Sequence, residues 1–178
     1  DIVERMKPLV ARYYKVLSDD KEQVEITYRS ELEQMPLGEL LLRSRERDII
    51  NQFTTVGIHR DDVTFKIGGY PLRKYGSQGQ QKSFLIALKL AQYRLLAETA
   101  GEKPILLLDD LFDKLDMQRV ERLLSLVAGE DFGQIFITDT NRTHLDEIVK
   151  YVGSDYRIFM VNSGVVQSLP NEDKEDDL

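Results

Sequence analysis

The chain has 178 residues, 42% of them hydrophobic, no cysteine and a formal net charge of −7. That length can bury one sizeable core with a smaller subdomain attached. The lack of cysteine excludes a disulfide framework and thiolate zinc sites, and no apolar run reaches the ~20 residues that span a bilayer.

The acidic balance argues mildly against a generic nucleic-acid surface. Residues 171–178 hold five acids and one lysine, which accounts for −4 of the charge and leaves −3 on the body. This tail is expected to be solvated and disordered, and a cytoplasmic location is expected for the whole.

Residues 2–17 place Ile2, Met6, Val10 and Tyr13 or Tyr14 near a 3.6-residue period and predict a helix. Residues 22–28 alternate, with Val24, Ile26 and Tyr28 on one side, and predict a strand. After Pro36 and Gly38, residues 39–52 read as a helix whose middle (Arg43, Arg45, Glu46, Arg47, Asp48) is charge-dense. The character changes near Gly57, so a boundary is expected within 53–57. Residues 62–67 and 70–74 flank Gly68-Gly69 and predict a hairpin.

A helix over 78–99 follows, then an apolar strand over 105–109, expected to be covered on both faces as in a parallel sheet. Helix 116–127, strand 134–138, helix 143–151 and strand 156–161 continue the alternation. A last strand, 165–169, returns through Asn162-Ser163-Gly164. The order predicts an α/β fold with a parallel sheet and flanking helices.

Gly76-Ser77-Gln78-Gly79-Gln80-Gln81 opens the long helix. A helix start offers unpaired N–H groups and a positive dipole end, which suit phosphate, and Gly79 allows close backbone approach. Ser77 with Gln80 three residues on also fits a capping box, which needs no ligand. Ile105-Leu106-Leu107-Leu108 ends in Asp109-Asp110, where ligands of open α/β sheets gather. Adjacent acids point to opposite sides, so one can hold a metal while the other polarises water. A plain acidic turn is the alternative. Asp116 precedes a helix and is a natural N-cap. Strand 134–138 ends in Asp139-Thr140-Asn141, where a loop capped by Thr143 would suffice.

Taken in order, these four elements resemble the motifs of ABC-type ATPase heads. With Gly57-Ile58-His59-Arg60-Asp61-Asp62, Ser77 to Lys82 and the run from Leu106 to Asp116, the chain is similar to the RecF DNA-repair family, best over about residues 55–168. The resemblance implies a partial helical arm over 1–55, the C-terminal part of an ABC ATPase head over 56–170, and the acidic tail. It implies that Ser77, Gly79 and Gln80 form the signature that contacts the γ-phosphate of ATP bound mainly by the opposite subunit. It further implies that Asp109 is the Walker B ligand of Mg²⁺, that Asp110 orients the attacking water, and that Leu115-Asp116 forms the D-loop at the dimer seam. A switch histidine is expected near Asp139, and the sequence has none there. The element from Gly57 to Asp62 draws attention to His59 and Arg60, and Arg60 either meets a phosphate or pairs on the surface with Asp61 or Asp62.

No Gly-x-x-x-x-Gly-Lys-Ser/Thr occurs in the chain. It is therefore expected to be a piece lacking the phosphate-binding loop and to be inactive alone, although the whole protein would be an ATPase. The resemblance implies an ATP-closed homodimer at single-strand/double-strand DNA gap junctions, with RecR, RecO and RecA as partners and no membrane. Alternatives are an SMC-like or double-strand-break repair head, a nonenzymatic DNA- or protein-binding module, and a Mg²⁺ phosphohydrolase built on Asp109, Asp110 and Asp113. Arg43, Arg45, Arg47, Arg73, Lys74 and Lys82 are the candidate DNA contacts.

Overall fold

A computed structural model describes residues 2–109, 115–141, 144, 148 and 156–169. Helix α1 (Ile2–Ser18) buries Val10, Tyr13, Tyr14 and Leu17, a stripe at helical spacing. Ile2, expected at the head of that stripe, is 64% exposed, so the buried face begins a turn later. The helix ends where Asp19 and Asp20 turn left-handed, a conformation their short polar side chains tolerate, and Asp20 N–H closes on Lys15 O at 2.8 Å. In the loop that follows, Glu22 turns back to accept from Tyr14 OH at 2.6 Å.

Strand β1 (Val24–Arg29) pairs antiparallel with β2 (Asp62–Ile67), from Val24 opposite Ile67 to Arg29 opposite Asp62. Between them lies α2 (Leu37–Asn51), whose one buried residue is Ser44. The tight turn at Gly68-Gly69 has the positive φ angles expected of it and leads into β3 (Tyr70–Pro71). The expected strand over 70–74 is cut short there. Pro71 has no N–H to continue the ladder, and Leu72 is drawn into the core as α3 (Leu72–Tyr75) begins.

Helix α4 (Gln78–Ala100) is the central element. α1 lies along it, with Tyr14 against Phe84 at 6.2 Å between ring centroids. Phe84, Ala87, Leu90 and Ala91 line the contact, and β1 packs on α1 as well. The core thus runs across residues 53–57: α1 and β1 share it with α4, while α2 stands outside it.

Strand β4 (Leu106–Asp109) pairs in parallel with β5 (Ile135–Thr138), Leu106 opposite Ile135 through to Asp109 opposite Thr138. Between them α5 (Met117–Val127) buries Val120, Leu123, Leu124 and Val127, again one stripe. The expectation of a strand covered on both faces is not met among the described residues. Burial alternates along β4 and β5: Leu106, Leu108, Ile135 and Ile137 pack on the core, while Leu107 and Phe136 point the other way and are 71% and 45% exposed. The helices among the described residues cover one side only, and the strand period of two puts every second side chain on the other.

The hairpin of β6 (Ile158–Asn162) and β7 (Val165–Leu169) turns at Ser163-Gly164, both with positive φ. Among the described residues β6 pairs with β7 alone and does not extend the parallel pair. The helix expected over 143–151 falls outside the described residues apart from His144 and Ile148, both helical. No helix among the described residues is long and apolar enough to cross a membrane.

Candidate nucleotide site at the start of the long helix

The start of α4 is held by a reciprocal cap. Gln80 N–H donates to Ser77 Oγ at 3.2 Å, and Ser77 N–H donates to Gln80 Oε1 at 2.7 Å. Gln81 N–H goes to Ser77 O at 3.0 Å. The N–H groups of Gln78 and Gly79 have no intrahelical acceptor, as in any first turn. Ser77 itself is exposed. The capping reading is met: the reciprocal cap fixes the turn, and the amides of Gln78 and Gly79 lie beside it.

Gln80 has a second tie. Its Nε2 donates to Glu22 Oε1 at 2.6 Å, and Glu22 Oε2 accepts from Tyr14 OH at 2.6 Å. Burial, and then this bond to a carboxylate, push the Tyr14 phenol well up. The side-chain amide of Gln80 thus ties the helix start to Glu22 and places its neighbours.

Asp116 caps α5 by accepting from Arg119 N–H at 3.0 Å, and its other oxygen takes Arg119 Nη1 at 2.5 Å. Burial works against its ionisation, but the backbone and guanidinium of Arg119 outweigh it, so the carboxyl stays below the ordinary range. The same guanidinium lies on α4: a Cβ at position 79 would stand 2.8 Å from Arg119 Nη1. Gly79 leaves room here for close approach by a side chain of the same chain, the end of Arg119. A cleft of about 460 Å³ opens beside this junction, lined by Ser18, Glu22, Asp116, Gln118, Arg119 and Arg122.

Asp109 forms a second cluster. It is exposed at the carboxyl end of β4, and Thr138 Oγ1, its register partner on β5, donates to its Oδ1. No group of three or more metal-ligating side chains occurs among the described residues. One carboxylate with an adjacent hydroxyl fits Mg²⁺, which keeps most of its waters and takes the rest of its shell from phosphates. Asp110 and Asp113 lie outside the described residues.

The expectation that no histidine stands near Asp139 is corrected in space. Asn141 N–H folds back on Asp139 Oδ1 at 2.7 Å, an Asx turn, and His144 Nδ1 meets the same oxygen at 2.9 Å. Asp139 is almost wholly covered, its side chain 6% exposed. The separation of five residues concealed the pair, and Asp139-x-Asn141 followed by a helix was the available signal.

No family model matches the chain. The DNA replication and repair protein RecF of Bacteroides thetaiotaomicron is 51% identical to it over 170 residues, 96% of this chain. RecF of Porphyromonas gingivalis strain W83 is 48% identical over 165 residues, 92% of this chain. The chain belongs to the RecF family.

It spans about half the length of the curated relatives it matches, 46% and 45% of these two. Among solved structures, the recombination mediator protein RecF-ATP of the RecFOR pathway superposes with a TM-score of 0.70 at 30% identity, covering 94% of this chain and 44% of the other. The RecF-ATPrS structure gives 0.69 with the same coverage. The fold is accordingly part of the RecF ABC-type ATPase fold, α/β with a parallel pair of strands and packed helices.

The RecF-like element around His59 makes local bonds. His59 Nε2 meets Thr54 O at 3.0 Å, and Arg60 Nε donates to Thr55 O at 3.4 Å with its guanidinium 5.5 Å over the Phe53 ring. Tyr28 OH donates to Asp61, and the hydroxyls of Ser30 and Tyr28 hold that carboxyl below its ordinary range. These bonds close the loop after α2 onto β1. The six basic candidates are scattered: Arg43, Arg45 and Arg47 on α2, Arg73 and Lys74 on α3, Lys82 on α4. Arg47 Nε is engaged with Thr55 Oγ1 at 2.8 Å, and Lys74 Nζ sits 5.1 Å from the Tyr75 ring centroid.

Proposed function

We propose that this chain supplies the signature, Walker B and D-loop side of a composite ATP site, acting within a protein of the relatives' length. ATP closes a RecF homodimer at DNA gap junctions, and RecO and RecR then assist the loading of RecA. The observation that carries the reading is the union of Ser77, Gly79 and Asp116 at one exposed junction, bridged by Arg119. The RecF names of the relatives and the ATP-bearing neighbours agree with it.

ATP with Mg²⁺ would supply the triphosphate whose γ-phosphate is transferred to water. Ser77 Oγ and the N–H groups of Gln78 and Gly79 offer donors at the positive end of α4, to a phosphate presented by the facing subunit. Gln80 keeps that turn in place through Ser77 and Glu22. Asp109, oriented by Thr138, would hold the cation, and Asp110 would orient the attacking water. Its side chain is one methylene shorter than glutamate, which favours slow turnover. Asp116 borders the seam as the D-loop.

The 178 residues contain no phosphate-binding loop, so this stretch alone is expected not to hydrolyse ATP. The test is ATP-dependent dimerisation, by sedimentation, of the relatives'-length protein as wild type, Ser77→Arg and Asp110→Asn. Wild type and Asp110→Asn should dimerise with ATP and Ser77→Arg should not, while Asp110→Asn loses turnover. A wild-type protein that stays monomeric with ATP removes the clamp.

A further inference from the structure

The geometry points to Arg119 as a positioning residue that couples the signature turn at Gly79 to the D-loop at Asp116, so that both halves of the subunit's contribution to the seam are set by one guanidinium. This rests on the composite-site reading above for its functional meaning, but the coupling itself stands on contacts already described. Nη1 of Arg119 is held by Asp116 Oδ2 at 2.5 Å. The same nitrogen occupies the space where any side chain at 79 would begin, 2.8 Å from that Cβ position. Nε of Arg119 is buried and has no hydrogen-bond partner among the described residues.

A buried guanidinium nitrogen without an acceptor is unfavourable, and an arginine placed solely to cap α5 could turn outward and hydrate. Its retention against Gly79 says that the position of the planar group over α4 matters more than the lost bond. A guanidinium is a rigid fork, so fixing it at Asp116 also fixes its edge at Gly79. Displacement of either motif is then transmitted to the other across a contact of a single group. In the same turn Gln80 is tethered to Glu22, which lines the cleft together with Arg119.

The experiment uses the relatives'-length protein as wild type, Arg119→Ala and Arg119→Lys, with amide hydrogen exchange in the absence of ATP and sedimentation in its presence. In Arg119→Ala, exchange at Gln80 and Gln81 should speed up about tenfold together with that at the start of α5, a coupling typical of groups in direct contact. Arg119→Lys keeps the charge but not the fork; it should restore protection at the start of α5 and leave Gln80 and Gln81 fast. ATP affinity of the monomer should be unchanged, and the dimer dissociation constant should rise about tenfold. If Arg119→Ala accelerates exchange only within α5, Arg119 is a local cap and the coupling is wrong. If wild type fails to dimerise with ATP, the composite-site reading falls, while the exchange data still decide the role of Arg119.

Discussion

Glu22 accepts a hydrogen bond from Gln80 Nε2 and another from Tyr14 OH, each at 2.6 Å, joining the first turn of α4 to the buried face of α1 through one carboxylate. Tyr14 is fully buried, so its hydroxyl has no water to fall back on. Replacing Glu22 by Ala should destabilise the protein by about 1–3 kcal/mol, the cost of leaving a buried donor unpaired. Tyr14→Phe added to Glu22→Ala should recover part of that loss. Urea unfolding of the two single variants and the double variant measures it, and strict additivity would mean the bridge is inert.

Ser83 presents the opposite case. It is fully buried in α4, and its Oγ has no hydrogen-bond partner among the described residues. Ser83→Ala should therefore stabilise by about 1 kcal/mol, since a better helix former replaces an unpaired hydroxyl. A rise in thermal midpoint checks this; a fall would mean that Oγ has an unseen acceptor.

At Ser77 capping and ligand contact can be separated. Ser77→Ala removes the side-chain acceptor for Gln80 N–H and should cost about 1 kcal/mol. Ser77→Asp retains a cap and should keep stability near wild type, yet it places a negative charge where a phosphate is proposed to dock. Loss of ATP-dependent dimerisation in Ser77→Asp, at undiminished urea stability, is the expected pattern.

Much of this could be read from the residues. The apolar period of α1, the helices opened by Ser77 and Asp116, the Gly68-Gly69 turn, and the acid at the tip of β4 all depend on local chemistry at short range. What escaped was long-range. Glu22 with Gln80 and Arg119 with Gly79 are partners that only packing brings together, and a glycine occupied by another side chain looks in sequence like one awaiting a ligand. The strand at 70–74 failed because Pro71 and the burial of Leu72 outweighed β propensity. The covering of both faces of β4 was inferred from apolarity alone, and apolarity does not say what supplies the cover.

Acid should loosen the loop after α2 before it reaches the core. Asp48 accepts from Thr55 Oγ1, Thr55 N–H and Ser44 Oγ, and these bonds hold its carboxyl below the ordinary range, the Thr55 side chain contributing most. A carboxyl lowered on folding adds stability above its unfolded value, near ~4, and loses it as pH falls through the lower folded value. Limited proteolysis within residues 52–57 should therefore increase below about pH 4. In Asp48→Asn the cleavage should be raised already at neutral pH and vary less with acid.

Leu123 of α5 is wholly enclosed between α5 and the rest of the core. Leu123→Ala should cost about 2–5 kcal/mol, through lost transfer energy and the cavity left behind. The denaturant midpoint would fall while the slope stays unchanged.

Leu107 and Phe136 project from the side of the β4–β5 pair that no helix among the described residues covers. Hydrocarbon presented in this way adheres to itself as soon as neighbouring structure loosens. Warming these residues by themselves would thus end in coagulation rather than reversible melting, and the apparent midpoint would follow the heating rate as a kinetic quantity.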